Sequence, residues 1–135
     1  MHLMLCVADG MGLLFNGRRL SRDRVLCARL LELSAGHPLR MTPYSAALFP
    51  PDAAVTAEAD PIAAAAEGEF VFLEELDPAP ALARAERLTL FHWNRAYPAD
   101  RTLPELAGWT LCGTREFAGS SHPRITEEEY RREKR

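Results

Sequence analysis

The sequence predicts an α/β domain built on a largely parallel central sheet flanked by helices. Three observations predict it. Short apolar runs, "HLMLCVA", "EFVFLEE" and "RLTLFHWN", recur along the chain, and their apolar centres suit strands covered on both faces. Between them lie "DPIAAAAEG" and "DPAPALARAE", each with a capping aspartate followed by proline in the first helical turn. Strand and helix signals alternate, which is the order that parallel crossover units require.

The chain of 135 residues suits one domain, 1–130, followed by a charged tail, 131–135, and is long enough to bury a core without metal or disulfides. Hydrophobic residues make up 47% and charged residues 26%, with a formal charge of -3. That balance argues against nucleic-acid binding by bulk electrostatics, although a local basic patch can still act on a phosphate. Cys6, Cys27 and Cys112 lie far apart without metal-ligand spacing and read as buried free thiols of a reducing compartment. The apolar start lacks a basic leading region and is interrupted by Asp9, well short of the roughly 18 residues a membrane span needs. A cytoplasmic protein with no membrane partner is expected.

In chain order, "HLMLCVA" is a buried strand ending at Asp9-Gly10, and "GLLFNG" a second extended piece closed by Asn16-Gly17. Ser21 stands where an N-cap would. Val25, Leu26, Leu30, Leu31 and Leu33 then recur at helical spacing until Gly36, the residue type that tolerates a left-handed stop. "PLRMTPY" is a strand bounded by prolines, "SAALF" a helical turn and "AAVTAE" a short strand. The two capped helices follow, ending at Gly68 and near Glu86, each succeeded by its strand. "WTLCGTREF" suits a strand. "ITEEEYRREKR" has two readings: Thr126 with Glu129 makes a capping-box pattern for a terminal helix, while a strand running into a charged tail fits the resemblance described next.

Read end to end, the order of motifs resembles dihydrofolate reductase. "LMLCVADGMGLLFNG" is similar to that family's first strand and following loop, and "HPLRMTPYSAALF" to its second strand, cofactor turn and aromatic. "VTAEADPIAAAAEGEFVFLEELDPAPALARAERLTLFHW" is similar to its strand, capped alanine helix, strand, helix and strand. "YPADRTLPELAGWTLCGTREF" resembles its Gly-Asp-x-x-Phe-Pro segment and tryptophan strand. The resemblance implies the fold and a ligand cleft. It also implies a carboxylate near the start of the first long helix as the group that meets a bound ring, a place Asp23 occupies.

The departures bear on function. The second-strand turn reads Thr42-Pro43-Tyr44-Ser45, without the family's Gly-Arg pair, and Glu74-Glu75 stand where the family has twin glycines. Two carboxylates there would repel a pyrophosphate. No cofactor is certain, and the departures count against ordinary NADPH binding. One strand and one helix also look lost between "SAALF" and "AAVTA". The pieces "RRLSRDR", "YSA", "WNRAYPAD" and "SHPRIT" resemble short bacterial proteins as well, some of them described as ribonuclease Z. That enzyme's His-x-His-x-Asp-His zinc cluster has no counterpart among His2, His37, His92 and His122. No metal site is expected.

The candidate catalytic residues are Asp23 and His122, and the candidate ligand-binding residues are Arg18, Arg19, Arg22, Tyr44, Ser45, Trp93, Asn94 and Arg95. Arg18, Arg19, Arg22 and Arg24 surround Asp23 in sequence and would keep it ionised. If they serve an anion, at least two should face Asp23, and Arg19→Ala and Asp23→Asn should fold normally while losing binding. The segment reads equally as a capped helix start with solvated arginines. "FHWNRAYPAD" places Trp93, Asn94, Arg95 and Tyr97 at a strand end where α/β sheets hold ligands, or where a tryptophan and a tyrosine plug the sheet. His122 in "GSSHPRIT" suits an acid or base, or a loop histidine without a task. The leading reading is a small anionic or nucleotide-like ligand bound in a cleft. The alternatives are a metal-independent RNA-cleaving enzyme using His122 and the arginines, a reductase with an altered cofactor mode, and a non-catalytic interaction protein. Nothing in the sequence reports oligomeric state.

Overall fold

The computed structural model describes residues 1–133. In chain order, β1 (His2–Val7), β2 (Gly12–Phe15) and β3 (Arg18–Arg19) lead into α1 (Arg24–Ser34), β4 (Leu39–Met41), α2 (Pro43–Ala46) and β5 (Thr56–Ala57). Then come α3 (Pro61–Ala64), β6 (Phe70–Phe72), α4 (Ala79–Arg84), β7 (Arg87–His92), β8 (Arg101–Thr102), β9 (Trp109–Phe117) and β10 (Ile125–Arg132). The main sheet has the order β5-β4-β6-β1-β7-β10-β9. Its first five strands are mutually parallel, and β10 runs antiparallel to both of its neighbours, β7 and β9. A small second sheet joins β3, β2 and β8.

β1 lies at the centre because its side chains are apolar on both faces. Leu3, Leu5 and Val7 enter one core with Val71, Leu73, Leu88 and Leu90, capped by Ala81 of α4 and by Ala85 just beyond it. Met4 points the other way, into a core with Leu26 and Leu30 of α1, Phe72, Phe91 and Trp93. The period-two alternation of a strand therefore feeds two cores, which explains why this run reads as continuously hydrophobic. α1 turns its Leu26, Leu30 and Ser34 stripe inward, and Gly36 follows at φ 84, a conformation that costs other residues a steric penalty.

Several expectations are corrected. Ser21 is not the N-cap of α1. Asp23 is, accepting from the N–H groups of Val25 and Leu26, because the chain remains extended through Asp23 itself, at φ -156. α3 stops at Ala64 rather than Gly68, and α4 spans only Ala79–Arg84. "ITEEEYRREKR" is strand and not helix. Its ladder partners on β7 and β9 and its side-chain pairs, Glu127 with Arg29 and Glu128 with His92, override the local capping pattern. Arg131 and Arg132 belong to β10, so the tail begins later than residue 131, and residues 134–135 of it lie outside the described residues.

Cys112 is exposed on β9, contrary to the expectation of three buried thiols, since that strand is an edge with little covering it. Cys6 and Cys27 are half-buried, and burial pushes the Cys27 thiol up to about 11 and that of Cys6 well above its ordinary range. Among the described residues no helix is long and apolar enough to cross a membrane.

The central strand also carries an acid-sensitive group. His2 is buried and stacks on Phe70 at 4.6 Å, with Nε2 2.7 Å from Thr89 Oγ1 and Nδ1 without a partner among the described residues. Burial first, then the charge of Arg87, pushes its pKa down from 6.5 to about 4. The unfolded chain therefore binds the extra proton first as pH falls, so His2 favours the fold above about pH 6.5 and loses that contribution down to about pH 4. Urea unfolding should show a loss of about 2–3 kcal/mol in this window, and the loss should shrink in His2→Gln. An identical acid profile in the variant would refute the assignment.

Candidate functional site

The loops at the carboxyl ends of β1, β6 and β7 gather two polar networks. The first centres on Asp23, whose side chain is fully buried. Its Oδ1 accepts the N–H groups of Val25, Leu26 and Ser120 at 2.9, 3.2 and 2.9 Å. Oδ2 accepts the Ser121 N–H at 2.6 Å and lies 3.2 Å from His122 Nδ1. Burial alone would raise this carboxyl, but the N–H groups of Ser120 and Ser121, the His122 ring and the Leu26 N–H outweigh it. They hold the carboxyl well below the usual carboxylate range. The sequence reading expected the arginines to keep Asp23 ionised; that is corrected, since backbone N–H groups and His122 do so, and none of the arginines pairs with Asp23 among the described residues.

His122 is buried, stacked on Trp93 with ring centroids 4.4 Å apart. With Nδ1–H donated to Asp23, Nε2 is left facing two hydroxyls, Ser21 Oγ at 3.1 Å and Tyr97 at 3.0 Å. Tyr97 O–H donates to Ser21 Oγ at 3.2 Å and accepts from Arg95 Nη1 at 3.2 Å. Arg95, Tyr97, Ser21, His122 and Asp23 thus form one directed hydrogen-bond chain, running from solvent to the buried helix cap.

The second network fills the space behind Arg19. Its Nε lies 3.0 Å from Glu74 Oε2, its Nη2 donates to the Tyr44 carbonyl at 3.0 Å, and its guanidinium sits 4.0 Å over the Tyr44 ring. Ser45 Oγ donates to Glu74 at 2.7 Å, and Thr42 Oγ1 donates to Glu75 at 2.8 Å. Both carboxylates are therefore engaged. Arg19→Ala would leave the largely buried Glu74 charge without its ion pair, so the expectation of a neutral substitution is corrected on desolvation grounds.

Around these networks lie open cavities. One of about 560 Å³ is lined by Arg18, Arg19, Ser21, Arg22 and Tyr44. A second, of about 600 Å³, shares Arg18 and Arg19 and reaches Tyr97. A third, of about 370 Å³, lies on the other side of the segment, between Arg22, Arg24, Cys27 and the Ser120-Ser121 loop. Arg18, Arg22 and Arg24 are exposed, and among the described residues none makes an ion pair.

The chain superposes on a solved dihydrofolate reductase from Enterococcus faecalis, complexed with NADP(H) and RAB-propyl. The TM-score is 0.68 over 98% of this chain and 96% of that one, at 12% sequence identity. The fold is that of dihydrofolate reductase. No protein-family model and no curated protein matches the sequence, so the likeness to dihydrofolate reductase is one of architecture. It agrees with the motif order read from the sequence, in which weak local similarities follow one another along the chain.

Within this dihydrofolate-reductase-like fold, Asp23, His122, Trp93, Arg18, Arg19, Arg22, Tyr44 and Ser45 converge on one end of the sheet. Asn94 does not line the cavities described. At φ 57 it turns the chain, and its amide donates to the Arg124 carbonyl and Thr126 Oγ1, tying β7 to the start of β10. Arg95 reaches the site through Tyr97, donating to its hydroxyl. Ser21 was missed as a site residue because it was read as the cap. The signal was present in "SRD", where two side chains able to cap stand two residues apart and only one can do so.

Proposed function

We propose that the protein binds a small anionic ligand in the cleft between Arg18, Arg22, Tyr44 and Tyr97, beside Ser21. The observation that carries this reading is a pair of cavities that share Arg18, one of them also edged by Arg22, two guanidinium groups without a carboxylate partner among the described residues. Their volumes suit a small molecule rather than a polymer, and free guanidinium groups favour carboxylate or phosphate. A cytoplasmic location fits the half-buried free thiols Cys6 and Cys27.

NADP(H) fits the chain poorly. The segment after β6 offers the carboxylates of Glu74 and Glu75, and the Arg19 guanidinium beside it is already held by Glu74. A pyrophosphate brought there would meet negative charge in place of free amides. Trp93 and Trp109 emission is accordingly expected to stay unchanged on titration with millimolar NADPH.

Calorimetric titration with inorganic phosphate or succinate tests the anion reading. Wild-type protein should bind one of them, and the double substitution Arg18→Ala, Arg22→Ala should weaken binding at least tenfold. Because both arginines are exposed, stability should change by less than about 1 kcal/mol. Equal affinity in the double variant would rule the cleft out as the binding place.

A further inference from the structure

We propose that Ser21 is a nucleophile, activated by His122 and oriented through Asp23, and that the cleft hydrolyses a small ester bearing an anionic group. The inference rests on the anion-binding reading for its substrate class, while the chemistry stands on separate geometry. Ser21 Oγ lies 3.1 Å from His122 Nε2, and His122 Nδ1 lies 3.2 Å from Asp23 Oδ2. A hydroxyl, an imidazole and a buried carboxylate joined in this order form a nucleophile, its general base and a positioning group. The carboxylate holds the ring with Nε2 toward the serine, and stacking on Trp93 keeps the ring from turning. Ser21 is partly exposed and lines the 560 Å³ cavity, so its oxygen is within reach of a ligand there.

Two features go beyond a buried structural contact. A helix cap needs only one acceptor oxygen for its N–H groups, and Asp23 Oδ1 already serves both Val25 and Leu26. Oδ2 is turned instead to Ser121 and to the imidazole. Tyr97 places a second hydroxyl 3.2 Å from Ser21 Oγ, backed by the Arg95 guanidinium. That O–H is positioned to donate to an oxygen on which negative charge develops beside Ser21, the task of an oxyanion donor.

In the reaction, Ser21 Oγ bonds to the ester carbonyl carbon as its proton passes to His122 Nε2, and the carbonyl electron pair moves onto oxygen. Collapse of this tetrahedral species breaks the bond to the alcohol, which leaves with the proton from His122. Water then attacks the acyl-serine, giving a proton to the same Nε2. The acid departs, and the proton returns to Ser21 Oγ. Ester and water become acid and alcohol with no other reactant. Arg18 and Arg22, edging the same cavity, would hold the ester's anionic group.

The test treats the full chain with an alkyl fluorophosphonate, located by tandem mass spectrometry. In parallel it measures release of 4-nitrophenol from the acetate ester and from the hydrogen succinate ester. Phosphonylation at Ser21 is expected, with faster turnover of the succinate ester. Ser21→Ala should abolish labelling and reduce turnover on the order of 1000-fold or more. His122→Asn should slow turnover comparably. An unlabelled wild-type Ser21, or hydrolysis untouched by Ser21→Ala, overturns the proposal whether or not any variant folds poorly. If phosphate binds but Ser21 is not labelled, the nucleophile fails and the anion cleft stands. Labelling without anion binding or preference for the succinate ester upholds the nucleophile and overturns the anionic substrate class.

Discussion

Asp23→Asn is expected to destabilise the protein by about 3 kcal/mol in urea or thermal unfolding, because one carboxylate serves five donors. Oδ1 takes the N–H groups of Val25, Leu26 and Ser120, and an asparagine oxygen could keep all three. Oδ2 faces the Ser121 N–H and His122 Nδ1, and an amide nitrogen in its place would set donor against donor in a site closed to water. The loss should be pH-dependent. The wild-type carboxyl is held well below its unfolded value, so its contribution is complete above about pH 4 and declines as pH falls below that. Wild type and variant should therefore converge in stability toward strongly acid pH. A change below about 1 kcal/mol at neutral pH would mean that the cap alone matters, because asparagine caps a helix about as well as aspartate.

Gly119→Ala is expected to cost about 3 kcal/mol and to disturb the His122 loop, as seen in unfolding midpoints and in the amide spectrum of residues near Asp23. A Cβ at position 119 would stand 2.4 Å from Asp23 Oδ2 and 2.9 Å from Ile125 Cδ1. Neither neighbour can give way. The carboxylate is fixed by its donors, and Ile125 is fully buried at the start of β10. The Gly119 N–H also closes the loop onto the His122 carbonyl at 2.9 Å. If the loop positions the imidazole, Gly119→Ala should also lower any labelling of Ser21. A folded variant of unchanged stability and unchanged loop spectrum would show that the chain relaxes around the added methyl.

The strands were legible wherever burial on both faces wrote an unbroken apolar run. β1, β6 and β7 are such cases, and β9 matched "WTLCGTREF" residue for residue. Helix ends were less legible, since "DPIAAAAEG" contains more alanine than α3 uses. Its helix stops after four residues because Ala65 takes an extended conformation and enters the core. No local propensity reports that constraint. The same holds for "ITEEEYRREKR", whose glutamates satisfy a capping pattern along the chain and ladder partners across it.

For the site, the sequence by itself determined which groups are available. It supplied the arginines of "NGRRLSRDRV", a carboxylate at the start of a helix, a tryptophan at a strand end and a histidine in a serine-rich loop. It also determined that two carboxylates follow β6. Only the tertiary structure decided what those groups do to one another. It brought His122 to Asp23 across 99 residues, and Ser21 to His122 across 101. It gave Arg19 to Glu74 and left Arg18 and Arg22 to solvent. The physical reason is that hydrophobic period and capping are properties of neighbouring residues. A hydrogen bond between loops depends on where two distant strands end, and sheet register, set by the buried faces of β1, β7 and β10, decides that.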